Sequence, residues 1–165
     1  MTHFKKINVF ADRGEVAEKA TQRALTDWAQ HPHHEFNRMV DSKAAGRTIK
    51  AAAADFEFFC KVEDCGPRGD TTLTFHGLIE VKETKHAFRL ERKRVTQLAR
   101  LRKRANCGGV CCVLVYHSTE NLWRGLPLAL LLADNAVGGS WDLSKVPLHA
   151  TALAALTAAT GQVIR

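Results

Sequence analysis

The chain has 165 residues, 45% of them hydrophobic and 25% charged, enough for one domain with a substantial core. Lys and Arg outnumber Asp and Glu by 24 to 17 and the isoelectric point is about 9.4, a balance that favours a polyanionic partner. No apolar run reaches the roughly 18 residues that a membrane-spanning helix needs, and the opening Met-Thr-His-Phe-Lys-Lys lacks the apolar centre of a signal peptide, so a cytoplasmic protein with reduced cysteines is expected.

Residues 1–12 show no regular pattern. Gly14 to Gln30 reads as a helix: Glu15 and Glu18 suit its positive end, and Val16, Ala20, Ala24, Leu25 and Trp28 give it an apolar face. Pro32 ends it. His31-Pro-His-His34 and the polar residues to Lys50 read as a loop or irregular helix, and long polar loops in compact domains are often functional. Asp55 to Phe59 reads as a strand, Glu63 to Asp70 as a turn, and Leu73 to Lys82 as a second strand. Residues 91–105 carry Val95, Leu98, Leu101 and Ala105 at helical spacing, ended by Gly108-Gly109. Val110 to His117 and Leu122 to Leu126 read as strands and Leu128 to Ala133 as a short helix. Gly138-Gly139 with Trp141 reads as a loop, and Pro147 opens a final helix reaching Thr160. The order gives an α/β domain spanning 1–165, with a mixed sheet flanked by helices. Cys60, Cys65, Cys107, Cys111 and Cys112 contain no C-x-x-C pair, which argues against structural zinc.

The chemistry centres on Leu78-Ile79-Glu80-Val81-Lys82. Side chains alternate along a strand, so Glu80 and Lys82 share a face. A charge inside an apolar strand is costly unless it is paired or holds a metal. Two interpretations follow: an internal Glu80–Lys82 ion pair, or a carboxylate for a divalent cation with an ammonium beside it. If Gly66-Pro67-Arg68-Gly69 is the hairpin turn, Asp55 stands directly opposite Glu80, with Cβ atoms about 5 Å apart and Lys82 as diagonal neighbour. A slip of one residue would destroy this arrangement. Two such carboxylates can share a Mg²⁺, and Lys82 can help place or deprotonate a water, which is equipment for metal-assisted phosphodiester hydrolysis. Asp70 is the rival first carboxylate. A short local hairpin turning at His76-Gly77 would bring it near Glu80, whereas a continuous strand would leave it roughly 33 Å away.

Ala54-Asp55-Phe56 followed by Leu78-Ile79-Glu80-Val81-Lys82 resembles the signature of the PD-(D/E)xK nuclease superfamily, with Ala54 where that motif often has Pro. More specifically, the chain resembles RecU-type Holliday-junction resolvases and their phage relatives. The resemblance is carried by Arg13-Gly14 followed by Glu18, by Glu80-Val81-Lys82-Glu83-Thr84, by Phe88 and Leu90 followed by Gln97, by Gly108-Gly109-Val110 before an apolar strand, and by Leu122-Trp123 to Pro127. It covers about residues 13–127 and leaves 128–165, expected to be a helical extension, unmatched. It implies a restriction-endonuclease-like core, dependence on Mg²⁺ or Mn²⁺, and a homodimer that cuts a four-way junction on two symmetric strands. Such an enzyme would serve DNA recombination or repair in a bacterium or a bacteriophage-infected cell. The resemblance makes Glu18 a helix-borne carboxylate near the metal, with Glu15 as the alternative, beside the catalytic Asp55, Glu80 and Lys82. Gln97 would contact the active-site lysine or DNA.

Lys43, Arg47, Lys50, Lys85, Arg89, Arg92, Lys93 and Arg94 flank this site and form the expected DNA surface, since phosphate contacts supply most sequence-independent affinity. The alternatives are a repair or restriction nuclease of the same fold, and a basic nucleic-acid-binding module in which Glu80–Lys82 is only an ion pair.

Overall fold

The computed structural model describes residues 13–39, 54–64, 71–133, 136–137, 139–161 and 163–164. Lys43, Arg47, Lys50, Asp70 and the turn Gly66–Gly69 lie outside the described residues. The elements are α1 (Arg13–Trp28), β1 (His34–Arg38), β2 (Phe56–Asp64), β3 (Thr71–Thr84), β4 (Arg89–Glu91), α2 (Leu98–Asn106), β5 (Val110–His117), β6 (Leu122–Pro127), α3 (Leu128–Leu132), β7 (Ala136–Val137), β8 (Ser140–Asp142) and α4 (Ala152–Ala159). A single 3₁₀ turn, Arg92–Arg94, links β4 to the approach of α2. Five strands form one sheet in the order β1-β2-β3-β5-β6, and β4-β8-β7 form a smaller one. Within the large sheet β3 and β5 are parallel, joined through α2, and the other neighbours are antiparallel. The mixed β-sheet flanked by helices that the sequence predicts is therefore present.

Strand alternation sorts the core into two layers. Phe56, Phe58, Ile79, Val81, Cys112, Leu114 and Trp123 pack under α1 and α4 with Ala17, Leu25, Trp28, Ala155 and Leu156. On the other face Leu78, Cys111, Val113, Val115 and Leu126 pack with Leu101 of α2, Leu131 of α3 and Trp141 of β8. Gly77 lets β3 and β5 approach: a Cβ there would lie 1.7 Å from the Val110 carbonyl oxygen and 2.5 Å from the Phe58 ring. Among the described residues no helix is long and apolar enough to cross a membrane.

Four sequence expectations are corrected. The segment after Pro32 holds an edge strand, β1, rather than only loop, because its backbone pairs with β2 from His34↔Cys60 to Arg38↔Phe56. Residues 91–105 are not one helix. Leu90 pairs with Trp141 of the smaller sheet, so the chain is extended there, and α2 begins only at Leu98. Trp141 is a buried strand residue rather than part of a loop, with Nε1 donating to the Leu131 carbonyl at 3.2 Å. The last helix starts at Ala152 instead of Pro147, capped by Thr151, whose Oγ1 accepts from the Ala154 amide at 3.2 Å. The segment after Pro127 thus contains strands as well as helices.

Candidate active site

The site grows from the pairing of β2 with β3. Phe56 pairs with Ile79 in an antiparallel ladder, so the next position outward sets Asp55 against Glu80, the register read from the hairpin. Asp55 sits at the bend that leads into β2, and its backbone is tied on both sides. Its amide donates to the Ile79 carbonyl at 3.2 Å, and its own carbonyl accepts from the Met39 amide at 2.9 Å. Its Oδ2 accepts from the Val81 amide at 2.6 Å, which fixes the carboxylate near the C-terminal end of β3.

Glu80 is fully buried, and Lys82 Nζ makes an ion-pair contact with its Oε1. Oε2 of Glu80 has no hydrogen-bond partner among the described residues. Burial pushes the Glu80 carboxyl up to about 7, with the Asp55 carboxylate adding to the rise and Lys82 opposing it. Burial also raises Asp55, against the Val81 amide and Lys82. Glu18 raises both, which places its charge within reach of the pair. Ala17 packs in the core layer containing Val81, and this brings the first turns of α1 to β3. Glu18 Oε2 accepts from Arg38 Nη2 at 2.8 Å. Glu15 points elsewhere: it pairs with Lys19 at 2.6 Å and is exposed. Arg38 was not predicted as a site residue, because an edge strand with Phe36 as its one apolar residue leaves little trace in sequence.

Beyond Lys82 the end of β3 opens on a cleft of about 480 Å³, lined by Gly14 and Glu18 from one side and by Lys82, Lys85, His86 and Arg94 from the other. Glu80 does not line it, so Lys82 is the member of the pair that meets the cleft. Of the other predicted DNA-binding residues, Arg92 lies over the Trp141 ring at 5.6 Å and Lys93 pairs with Glu91 at 3.3 Å. Arg89 sits on β4, where its charge helps lower the Asp142 carboxyl after the dominant Ser144 hydrogen bonds. Gln97 is outside the cleft, its side-chain oxygen accepting from Thr96 Oγ1 at 2.6 Å.

One contributor escaped sequence reasoning altogether. Arg124 of β6 is buried, and its guanidinium donates to the carbonyls of Leu143 at 2.6 Å, Val146, and Ala87 at 3.2 Å. It fastens the segment beyond β8 to the chain just past the cleft. The Leu143 amide completes the seam by donating to the Phe88 carbonyl at 2.8 Å. No local pattern announces this, since all three acceptors are backbone atoms distant in sequence.

The residues fit a divalent cation. Two facing carboxylates that resist joint ionisation, one of them with Oε2 lacking any hydrogen-bond partner among the described residues, would be stabilised by a bound cation. Among the described residues no group of three or more His, Cys, Asp or Glu encloses a metal position. Mg²⁺ does not need one, because it keeps several waters and is commonly held by one or two carboxylates.

A pH prediction follows. Glu80 is raised in the folded state, so between the ordinary carboxylate range and about pH 7 the folded protein binds more protons than the unfolded chain. Its contribution to stability is therefore greatest at low pH and is lost as pH rises through about 7. His34 and His117, held low by burial, act in the opposite direction below the usual histidine range. The difference between wild type and Glu80→Gln isolates the carboxyl. In EDTA, the melting temperature of wild type relative to Glu80→Gln should fall from pH 5 to pH 8. A relative rise over that interval would contradict the buried, repelled carboxylate.

No family model matches the sequence, and no curated protein matches it. Among solved structures, Hjc of Archaeoglobus fulgidus, described as a Holliday junction resolvase from an archaeal hyperthermophile, is similar at 15% sequence identity with a TM-score of 0.48, over 80% of this chain and 88% of that one.

Proposed function

We propose that the protein is a metal-dependent endodeoxyribonuclease that hydrolyses phosphodiesters in branched DNA, four-way junctions above all, and acts as a homodimer. The observation that carries this is the meeting of Asp55 and Glu80 on adjacent strands, with Lys82 between Glu80 and the cleft. Asp55 and Glu80 would hold Mg²⁺ or Mn²⁺, with Glu18 near enough to take part. When bound, the metal supplies Lewis-acid polarisation of the phosphate and acidifies a water. Lys82 contributes a fixed positive charge at the cleft wall, where negative charge grows on the phosphate oxygens during attack. Arg38 holds Glu18 in place through its 2.8 Å contact. The basic excess of the chain supports a nucleic-acid substrate, and the resemblance to RecU-type resolvases supports the branched form.

Cleavage of a labelled four-way junction, a linear duplex and a single strand, each with Mg²⁺ and with EDTA, tests this directly. Junction cutting in Mg²⁺ alone is expected. Equal cutting of duplex would remove the branched preference, and no cutting in any divalent metal would remove the nuclease.

The burial of Glu80 and its contact with Lys82 also support a second reading, a DNA-binding module with an internal ion pair. Lys82→Met separates the two. Removing one partner of a buried pair usually costs about 3–5 kcal/mol. Glu80 is already poised near pH 7 and can take up a proton when Lys82 is lost, which limits the cost. A cooperative melt close to wild type, with most of the cleavage rate gone, is the expected result. Gross unfolding with no cleavage activity in the wild type would favour the binding module.

A further inference from the structure

We propose that the cleft beside Lys82 is a binding site for a second phosphodiester of the DNA strand, one that is not cut, held by Arg94 and Lys85. The proposal rests on the nuclease reading for the identity of its ligand, and on the geometry of the cleft for the site itself. Arg94 lines the cleft and is exposed, yet its guanidinium is anchored: Nη2 donates to the Glu83 backbone carbonyl. That acceptor carries no full charge, and Arg94 makes no ion pair with a carboxylate among the described residues. A fork held by one nitrogen presents its remaining donors in a fixed plane, the geometry that grips phosphate oxygens.

The backbone beneath Arg94 is equally fixed. The Val95 amide donates to the Arg92 carbonyl at 3.1 Å, Val95 is buried, and the Arg92 amide donates to the Gly139 carbonyl at 3.0 Å. Lys85, on the same wall of the cleft, is set by Thr84. Thr84 is buried, its carbonyl accepts from the Ser118 amide at 3.1 Å, and its Oγ1 accepts from the His86 amide at 3.1 Å. Lys85 has no ion-pair partner among the described residues. Opposite them, a Cβ on Gly14 would meet nothing within 4 Å, so the α1 wall leaves room. Glu18 and Glu83 also line the cleft, and their charge opposes a dianion more than a singly charged diester. An internal phosphate of the strand, not a free or terminal one, is therefore the ligand.

The test uses a fluorescein-labelled junction oligonucleotide, bound in EDTA so that no cutting occurs, across a salt titration. Arg94→Ala should lower the log–log salt slope by about 0.9 for each protomer engaged on the junction, one released counterion apiece. Arg102→Ala removes the same charge from an exposed site on α2 outside the cleft and should leave the slope unchanged. Arg94→Lys should keep the slope and lose affinity several-fold, because charge is retained and the fork is not. A 5′-phosphate on the oligonucleotide should change nothing. In Mg²⁺, Arg94→Ala should raise KM with kcat within about twofold, since an uncut phosphate is held equally in ground and transition states. Equal slopes for Arg94→Ala and wild type, an equal loss in Arg102→Ala, tighter binding through a 5′-phosphate, or a collapse of kcat at unchanged KM would each overturn the proposal. A wild type that binds with the Arg94-dependent slope but never cleaves would overturn the nuclease reading and leave this site standing.

Discussion

Asp55→Asn and Glu80→Gln are each expected to abolish junction cleavage while the junction gel shift survives. Both substitutions keep side-chain volume and remove one negative charge. The charge matters because, among the described residues, Asp55 and Glu80 face each other at the centre of the proposed site and would together neutralise a divalent cation. A bound metal stabilises the transition state by several kcal/mol, and every 1.36 kcal/mol is tenfold in rate, so loss on the order of a thousandfold or more is expected. Binding should persist, because the proposed phosphate contacts would come from Lys and Arg residues and not from these carboxylates. Stability should persist too: Glu80→Gln removes a buried charge whose carboxyl is pushed up to about 7 by burial and by Asp55. Asp70→Asn is the informative control. Near-normal cleavage by Asp55→Asn, with cleavage lost in Asp70→Asn, would transfer the metal to Asp70 and leave Asp55 as a backbone anchor for Val81.

How much of this was legible in sequence depends on how local the determinants are. β3, β5 and β6 announce themselves as apolar runs bounded by turn residues, and the Gly-Pro-Arg-Gly turn signal gave the register that brings Asp55 to Glu80. The core positions Val95 and Leu101 were correctly read as apolar anchors, yet the helix between 91 and 97 was not there. Pairing of Leu90 with Trp141 is a contact between segments some fifty residues apart, and helical spacing cannot report it. β1 escaped for a different reason. An edge strand with burial confined to His34 and Phe36 carries almost no hydrophobic alternation, so Arg38, and its hold on Glu18, stayed hidden. The carbonyl-bound guanidinium of Arg124 is the extreme case, because its partners have no side-chain signature at all.

Gly125→Ala should be the most destabilising single methyl addition on β6. A Cβ at that position would lie 1.9 Å from the Ala155 carbonyl oxygen, 2.8 Å from the Ala155 carbonyl carbon and 2.8 Å from the Ala159 Cβ. These are backbone and methyl atoms of α4, so no flexible side chain can swing aside. The strand and the helix must separate instead. That separation loosens the contacts of buried Ala152, Ala155, Leu156 and Ala159, and with them the layer that also holds Ala17, Leu25 and Trp28 of α1. Overpacking a close-packed interior costs about 1–3 kcal/mol, and more where backbone must move. A loss of roughly 3 kcal/mol corresponds to a fall of about 10 °C in melting temperature for a chain of this size. Gly14→Ala adds the same methyl on α1 where a Cβ meets nothing within 4 Å, and in a helix it should gain up to about 1 kcal/mol. Opposite signs in the two melts are the expected outcome. Because α1 carries Glu18, cleavage by Gly125→Ala should fail at a lower temperature than wild type while remaining near normal well below its own melt. A Gly125→Ala protein that melts with the wild type would mean that α4 does not lie on β6, and the α1 face of the site would then need another support.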